Sequence, residues 1–86
     1  MRPMKFLRMR PGFGEQLIAE GDPAVAEDAE RLVDEFRRQL DAGMWAAVPT
    51  TTDTGSRRAE LVRAFDDIPA DTGRVIFFPR AAGGAA

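Results

Sequence analysis

The 86-residue chain contains no cysteine and no histidine. It therefore has no disulfide, no thiolate nucleophile, and no zinc site of the usual ligand types. Any covalent chemistry involving this protein is expected to be done by a partner, so the chain itself is not expected to be an enzyme. Lysine is almost missing: there are eleven arginines and one lysine, Lys5. A chain so poor in amines offers few attachment points for isopeptide bonds to itself. No apolar run approaches the roughly 18 residues that a membrane-spanning helix needs. Met1-Arg2-Pro3-Met4-Lys5 is not followed by a long apolar segment, so no secretory signal is visible and cytoplasmic residence is expected. Excess positive charge is also lacking. The net charge is −2, which argues against a nucleic-acid binder held by phosphate contacts.

What remains is ordinary for one small soluble domain, with 44% hydrophobic and 30% charged residues. A chain this short buries only about 60% of its unfolded surface. Met4–Arg10 alternates as a strand, with Leu7 and Met9 on one face and Phe6, Arg8 and Arg10 on the other. Pro11-Gly12-Phe13-Gly14 is a turn cluster. Glu15–Glu20 fits the second strand of a hairpin or a helical turn. Gly21-Asp22-Pro23 marks a helix start, with Asp22 as cap and Pro23 in the first turn. Val25, Ala29, Leu32, Val33, Phe36 and Leu40 recur at helical spacing, which predicts a helix over 23–42 ended by Gly43. Met44–Val48 is a third strand bounded by Pro49, and residues 50–56 form a polar loop. Residues 58–65 fit a strand or a short helix. Residues 66–71 form a turn or a single 3₁₀ loop.

The most pointed stretch is the last. After the turn signal Asp71-Thr72-Gly73, Val75-Ile76-Phe77-Phe78 is a strong strand. Pro79 ends ladder pairing on its own N–H side, since it has no N–H to give. Arg80 follows, and then side chains shrink to Ala81-Ala82-Gly83-Gly84-Ala85-Ala86. A Phe-Phe-Pro run leading into Gly-Gly resembles the C-terminus of ubiquitin-like β-grasp proteins, in particular bacterial ones of the MoaD and ThiS type. The resemblance implies an α+β fold in which a mixed sheet of four to five strands packs on one long helix. The first and last strands would pair in parallel at its centre. It divides the chain into a domain over 1–80 and a flexible tail over 81–86. It also turns Val75 and Phe77 toward the helix and Ile76 and Phe78 outward.

The function implied is that of a protein modifier. A JAB-type zinc metallopeptidase would cut the Gly84–Ala85 bond, exposing the carboxylate of Gly84 with Gly83 as its spacer. An E1-like activating enzyme would adenylate that carboxylate, and an E2-like conjugating enzyme would pass it to an amine of a target protein. Glycines suit this role because a backbone without Cβ can enter a narrow channel. Arg80 matches a basic position used for recognition by the activating enzyme. Ile76 and Phe78 form an exposed apolar docking patch, which Phe6 or Trp45 extends if their faces turn outward; a tryptophan is more often core. Two other classes remain open: a sulfur carrier forming a C-terminal thiocarboxylate, and a noncovalent β-grasp interaction module. The acids Glu27, Asp28, Glu30, Asp34 and Glu35 are expected to form a solvated helix face. Arg2, Arg8, Arg10, Arg57 and Arg58 are expected to be scattered charge. No metal or cofactor is expected to reside on the chain.

Overall fold

A computed structural model describes residues 3–10, 12–51 and 54–80. The chain runs β1 (Met4–Arg10), β2 (Gly14–Gly21), α1 (Ala26–Asp41), β3 (Met44–Thr51), β4 (Arg57–Val62), a 3₁₀ turn (Phe65–Asp67) and β5 (Arg74–Pro79). The strands form one five-stranded mixed sheet in the order β2-β1-β5-β3-β4, and α1 packs on one face of it. Strands β1 and β5 are parallel and central, with Phe6 opposite Val75 and Leu7 opposite Ile76. A parallel pair cannot be closed by a hairpin. Here the connection runs through β2, α1, β3 and β4. The expected α+β class with a mixed sheet on one helix is observed, at five strands.

Strand parity puts Met4, Phe6, Met44, Ala46, Val48, Val75 and Phe77 against Leu32 and Phe36 of α1, all of them buried. Phe6, Phe36, Phe65 and Phe77 form an aromatic cluster, with centroid separations from 5.2 Å (Phe6–Phe77) to 6.4 Å (Phe6–Phe65). Most of these rings meet edge to face, an arrangement aromatic quadrupoles favour. On β2, Phe6 faces Ala19 while Leu7 faces Leu17, so Ile18 is the extra residue of a bulge. The bulge lets both Ile18 and Ala19 pack against the core.

Several boundaries differ from the sequence expectation. The helix has 16 residues and begins after Val25, which makes no side-chain cap bond. It is shorter than the span 23–42. Asp22 instead stabilises a turn: its Oδ1 accepts from Ala24 N and its carbonyl from Val25 N, both at 2.9 Å. That turn consumes Pro23 and Ala24 before the helix can start. The C-terminal end is as expected. Gly43 has φ +89°, a region a side chain disfavours, and donates its N–H to Leu40.

Pro49 does not end β3. Pairing with β5 stops at Ala47, while pairing with β4 continues through Pro49 opposite Ala59 to the end of the strand. A proline is tolerated where one flank of a strand is open. Thr50 and Thr51 accordingly belong to β3 and not to a loop, whereas Thr52 and Asp53 lie outside the described residues. The ambiguous segment 58–65 is strand as far as Val62, and its last residue, Phe65, opens the 3₁₀ turn. Pro79 is the last residue of β5, as expected: pairing with β1 has already ended at Phe77, while on the β3 side Pro79 sits opposite Met44 and Arg80 N donates to Gly43 O at 3.3 Å.

Candidate functional site

The candidate site is the face of the sheet turned away from α1. Alternation along β5 places Val75 and Phe77 inside at 0% exposure and leaves Ile76 and Phe78 half-buried on the outer face, as expected. Register then adds neighbours that the β5 sequence alone does not reveal. Leu17, Leu7, Ile76, Ala47 and Leu61 are direct partners in turn, one from each strand, and form an apolar row across the whole sheet. Leu17 and Leu61 are 50% and 52% exposed, and Ala47 between them is nearly covered.

One step toward the end of β5, Phe78 pairs with Trp45. Trp45 is half-buried and alternates with the buried Met44 and Ala46, so it belongs to the outer face and not to the core. Phe6 is the reverse case. It is fully buried beside Phe77 and contributes nothing to the patch. The Arg80 guanidinium carbon lies 5.3 Å from the Trp45 ring centroid, within cation–π range and worth about 0.5–1 kcal/mol at an exposed site. Arg80 is thereby fixed at both ends, by its backbone N–H on Gly43 and its head on Trp45. A cleft of about 310 Å³ opens beside it, lined among others by Leu40, Trp45, Arg63 and Arg80.

The arrangement thus brings together Ile76, Phe78 and Arg80, and adds Trp45, Leu7, Leu17, Ala47 and Leu61. Gly83, Gly84 and Ala85 lie outside the described residues. The basic residues do not gather. Arg8 and Arg10 are on β1 and Arg57 and Arg58 on β4, with β5 and β3 between them, a gap of about 14 Å at the usual strand spacing; Arg2 is outside the described residues.

The acidic helix face is less solvated than expected. Asp28 Oδ2 accepts from Asp22 N at 2.9 Å and its Oδ1 from Arg31. The backbone bond first, and Arg31 second, hold its carboxyl below the ordinary value. Glu35 accepts from Arg38 and from Gln39 Nε2, both at 2.7 Å. Gln39 is itself buried, and its Oε1 has no partner among the described residues. Among the described residues no three acidic side chains gather so as to hold a metal ion, and no helix is long and apolar enough to cross a membrane.

No family model, no curated protein and no solved structure matches this chain. The class that fold and site define is an α+β protein whose sheet carries a half-exposed apolar face ending in an arginine-capped tryptophan.

Proposed function

We propose that this chain is a β-grasp, ubiquitin-like protein modifier. One observation carries the reading: β5 is the central strand, paired on both flanks, and its last residues adjoin the apolar outer face. The segment that begins at Ala81 and contains Gly83-Gly84 is therefore attached to the firmest part of the sheet, beside Phe78, Trp45 and Arg80. An activating enzyme can grip that face and draw the glycines into its own channel. Strand order, the central parallel pair and the single covering helix all agree with the β-grasp arrangement.

The chemistry belongs to partners. A JAB-type metallopeptidase adds water across the Gly84–Ala85 amide, freeing the Gly84 carboxylate. That carboxylate attacks the α-phosphorus of ATP and expels pyrophosphate in an E1-like enzyme. A cysteine thiolate then displaces AMP to form a thioester, which passes to the cysteine of an E2-like enzyme by exchange. A target amine finally displaces the thiol, leaving an amide. Ile76, Phe78 and Arg80 dock the activating enzyme. The Phe77-Phe78-Pro79 run before Gly-Gly keeps one second reading in view, a sulfur carrier whose adenylate is attacked by a sulfur donor.

Intact mass after incubation with a JAB-type peptidase, a cognate E1-like enzyme and ATP tests the reading. Loss of Ala85 and Ala86, followed by a thioester on the enzyme and an amide adduct on a target, is expected. Exchange of one oxygen for sulfur on the trimmed chain selects the carrier. A chain ending at Gly84 that never forms an adenylate overturns both.

A further inference from the structure

Strand β4 is an edge strand, with β3 on one side and nothing on the other among the described residues. Arg57 through Leu61 are all exposed. Such an edge carries unused backbone donors and acceptors and is a template for another strand. Charges usually blunt an edge, but here their spacing is self-complementary. The pairings Pro49–Ala59 and Ala47–Leu61 place Arg57, Ala59 and Leu61 on the outer face. Arg58 and Glu60, opposite Thr50 and Val48, lie on the helix side. Neither Arg58 nor Glu60 takes part in an ion pair among the described residues.

Two copies meeting edge to edge as antiparallel strands are related by a two-fold perpendicular to the sheet. Side chains directly opposite must share a face, so the axis must pass through a residue. Two such registers give the longest overlap within β4, with the axis at Ala59 or at Glu60. An axis at Glu60 sets Glu60 against its own copy, which is repulsive. An axis at Ala59 sets Arg58 against Glu60 of the second copy, and Glu60 against its Arg58. It also lays Arg57 across the exposed Leu61 of the other chain. The other edge has no such register, since β2 carries only the acids Glu15 and Glu20 and is bulged at Ile18.

We infer that β4 is a self-association edge, pairing two copies of this chain about Ala59 into a continuous ten-stranded sheet with both helices on one side. Because β4 is antiparallel to β3 and β3 to β5, β4 runs with β5. The two-fold therefore sends the two β5 ends in opposite directions and leaves each outer face open. This association is independent of whether the tail is ever activated.

Sedimentation velocity on the full chain tests it. The weight-average mass should rise from the monomer's 9.4 kDa toward twice that value as concentration increases. The dissociation constant should be on the order of 0.1 mM, as befits a small interface. Arg58→Glu alone or Glu60→Arg alone places like charges opposite each other at both pairs, and each should weaken association by about tenfold or more. In an equimolar mixture of the two variants, the introduced glutamate of one chain faces the introduced arginine of the other. The native Glu60 of the first chain then faces the native Arg58 of the second, so the mixture should associate at least as well as the wild type. That rescue also shows that both variants are folded. Amide shifts that change on dilution should map to residues 57–61. A wild-type mass constant to about 1 mM, single variants that associate like the wild type, a mixture that stays monomeric, or dilution shifts centred on Ile76 and Phe78 would each overturn the inference.

Discussion

The same strands present two faces with opposite fates. On the helix side, Phe6, Val75 and Phe77 have no exposure at all; one residue along, Leu7, Ile76 and Phe78 keep part of theirs. Both faces carry apolar residues, yet only one is needed to close a core around Leu32 and Phe36. A sheet with one solvated face normally alternates apolar with polar residues. Leu17, Leu7, Ile76, Ala47 and Leu61 break that rule in a single row. Apolar surface retained where folding does not demand it is characteristic of a contact surface.

Breaking the inner face should cost most. Phe77→Ala removes a fully buried ring that packs on both Phe6 and Phe36 and should destabilise by about 3–5 kcal/mol, a large part of the total for so small a domain. Thermal melting would show it as a lost or strongly lowered transition. The outer face should behave differently. Phe78→Ser, at a half-buried site, should cost only about 1 kcal/mol, while reducing adenylation by an activating enzyme about tenfold, as expected for a contact anchor. Equal effects of the two substitutions on stability would erase the distinction between faces.

Gln39 sharpens the comparison from the other side, being the buried polar residue on the helix face. Its Oε1 has no partner among the described residues, so Gln39→Leu should gain about 1 kcal/mol in urea unfolding. A loss would mean that its bond to Glu35 matters more than the stranded oxygen. The mildest effect is expected at Asp28. Its folded pKa lies below the unfolded value, so its contribution is complete above that unfolded value and fades as pH falls through the folded pKa. Asp28→Asn should therefore be less stable than the wild type at neutral pH, with the gap closing below about pH 4. A gap independent of pH would assign the loss to packing against Gly21. An added Cβ at Gly21 would sit 3.0 Å from Asp28 Cβ.

Much of the inner face was legible in advance. Helical spacing of Leu32 and Phe36 is a local signal that points to the buried side of α1, whereas Val75-Ile76-Phe77-Phe78 is apolar throughout and only the resemblance to β-grasp proteins told its two faces apart. The outer row was not legible, because it is assembled by register. Leu17 and Leu61 lie far apart in the chain, each next to an apolar residue that turns to the other face (Ile18 and Val62), and only the pairing of five strands aligns them with Ile76. The misjudged boundaries share one cause. Pro23 and Pro49 read as punctuation, yet each sits where the missing N–H goes unneeded, in a turn or at an open flank. The dicarboxylate-rich helix likewise hides that Asp28 and Glu35 are occupied by backbone and side-chain donors a few residues away.

The parallel pairing of β1 with β5 has a mechanical consequence. Traction applied at the start of β1 and the far end of β5 runs along both strands in opposite senses. The ladder between them is loaded in shear, with its rungs sharing the force at once instead of unzipping singly. A pull beyond Arg80 against a held β1 therefore meets several rungs of that ladder at once.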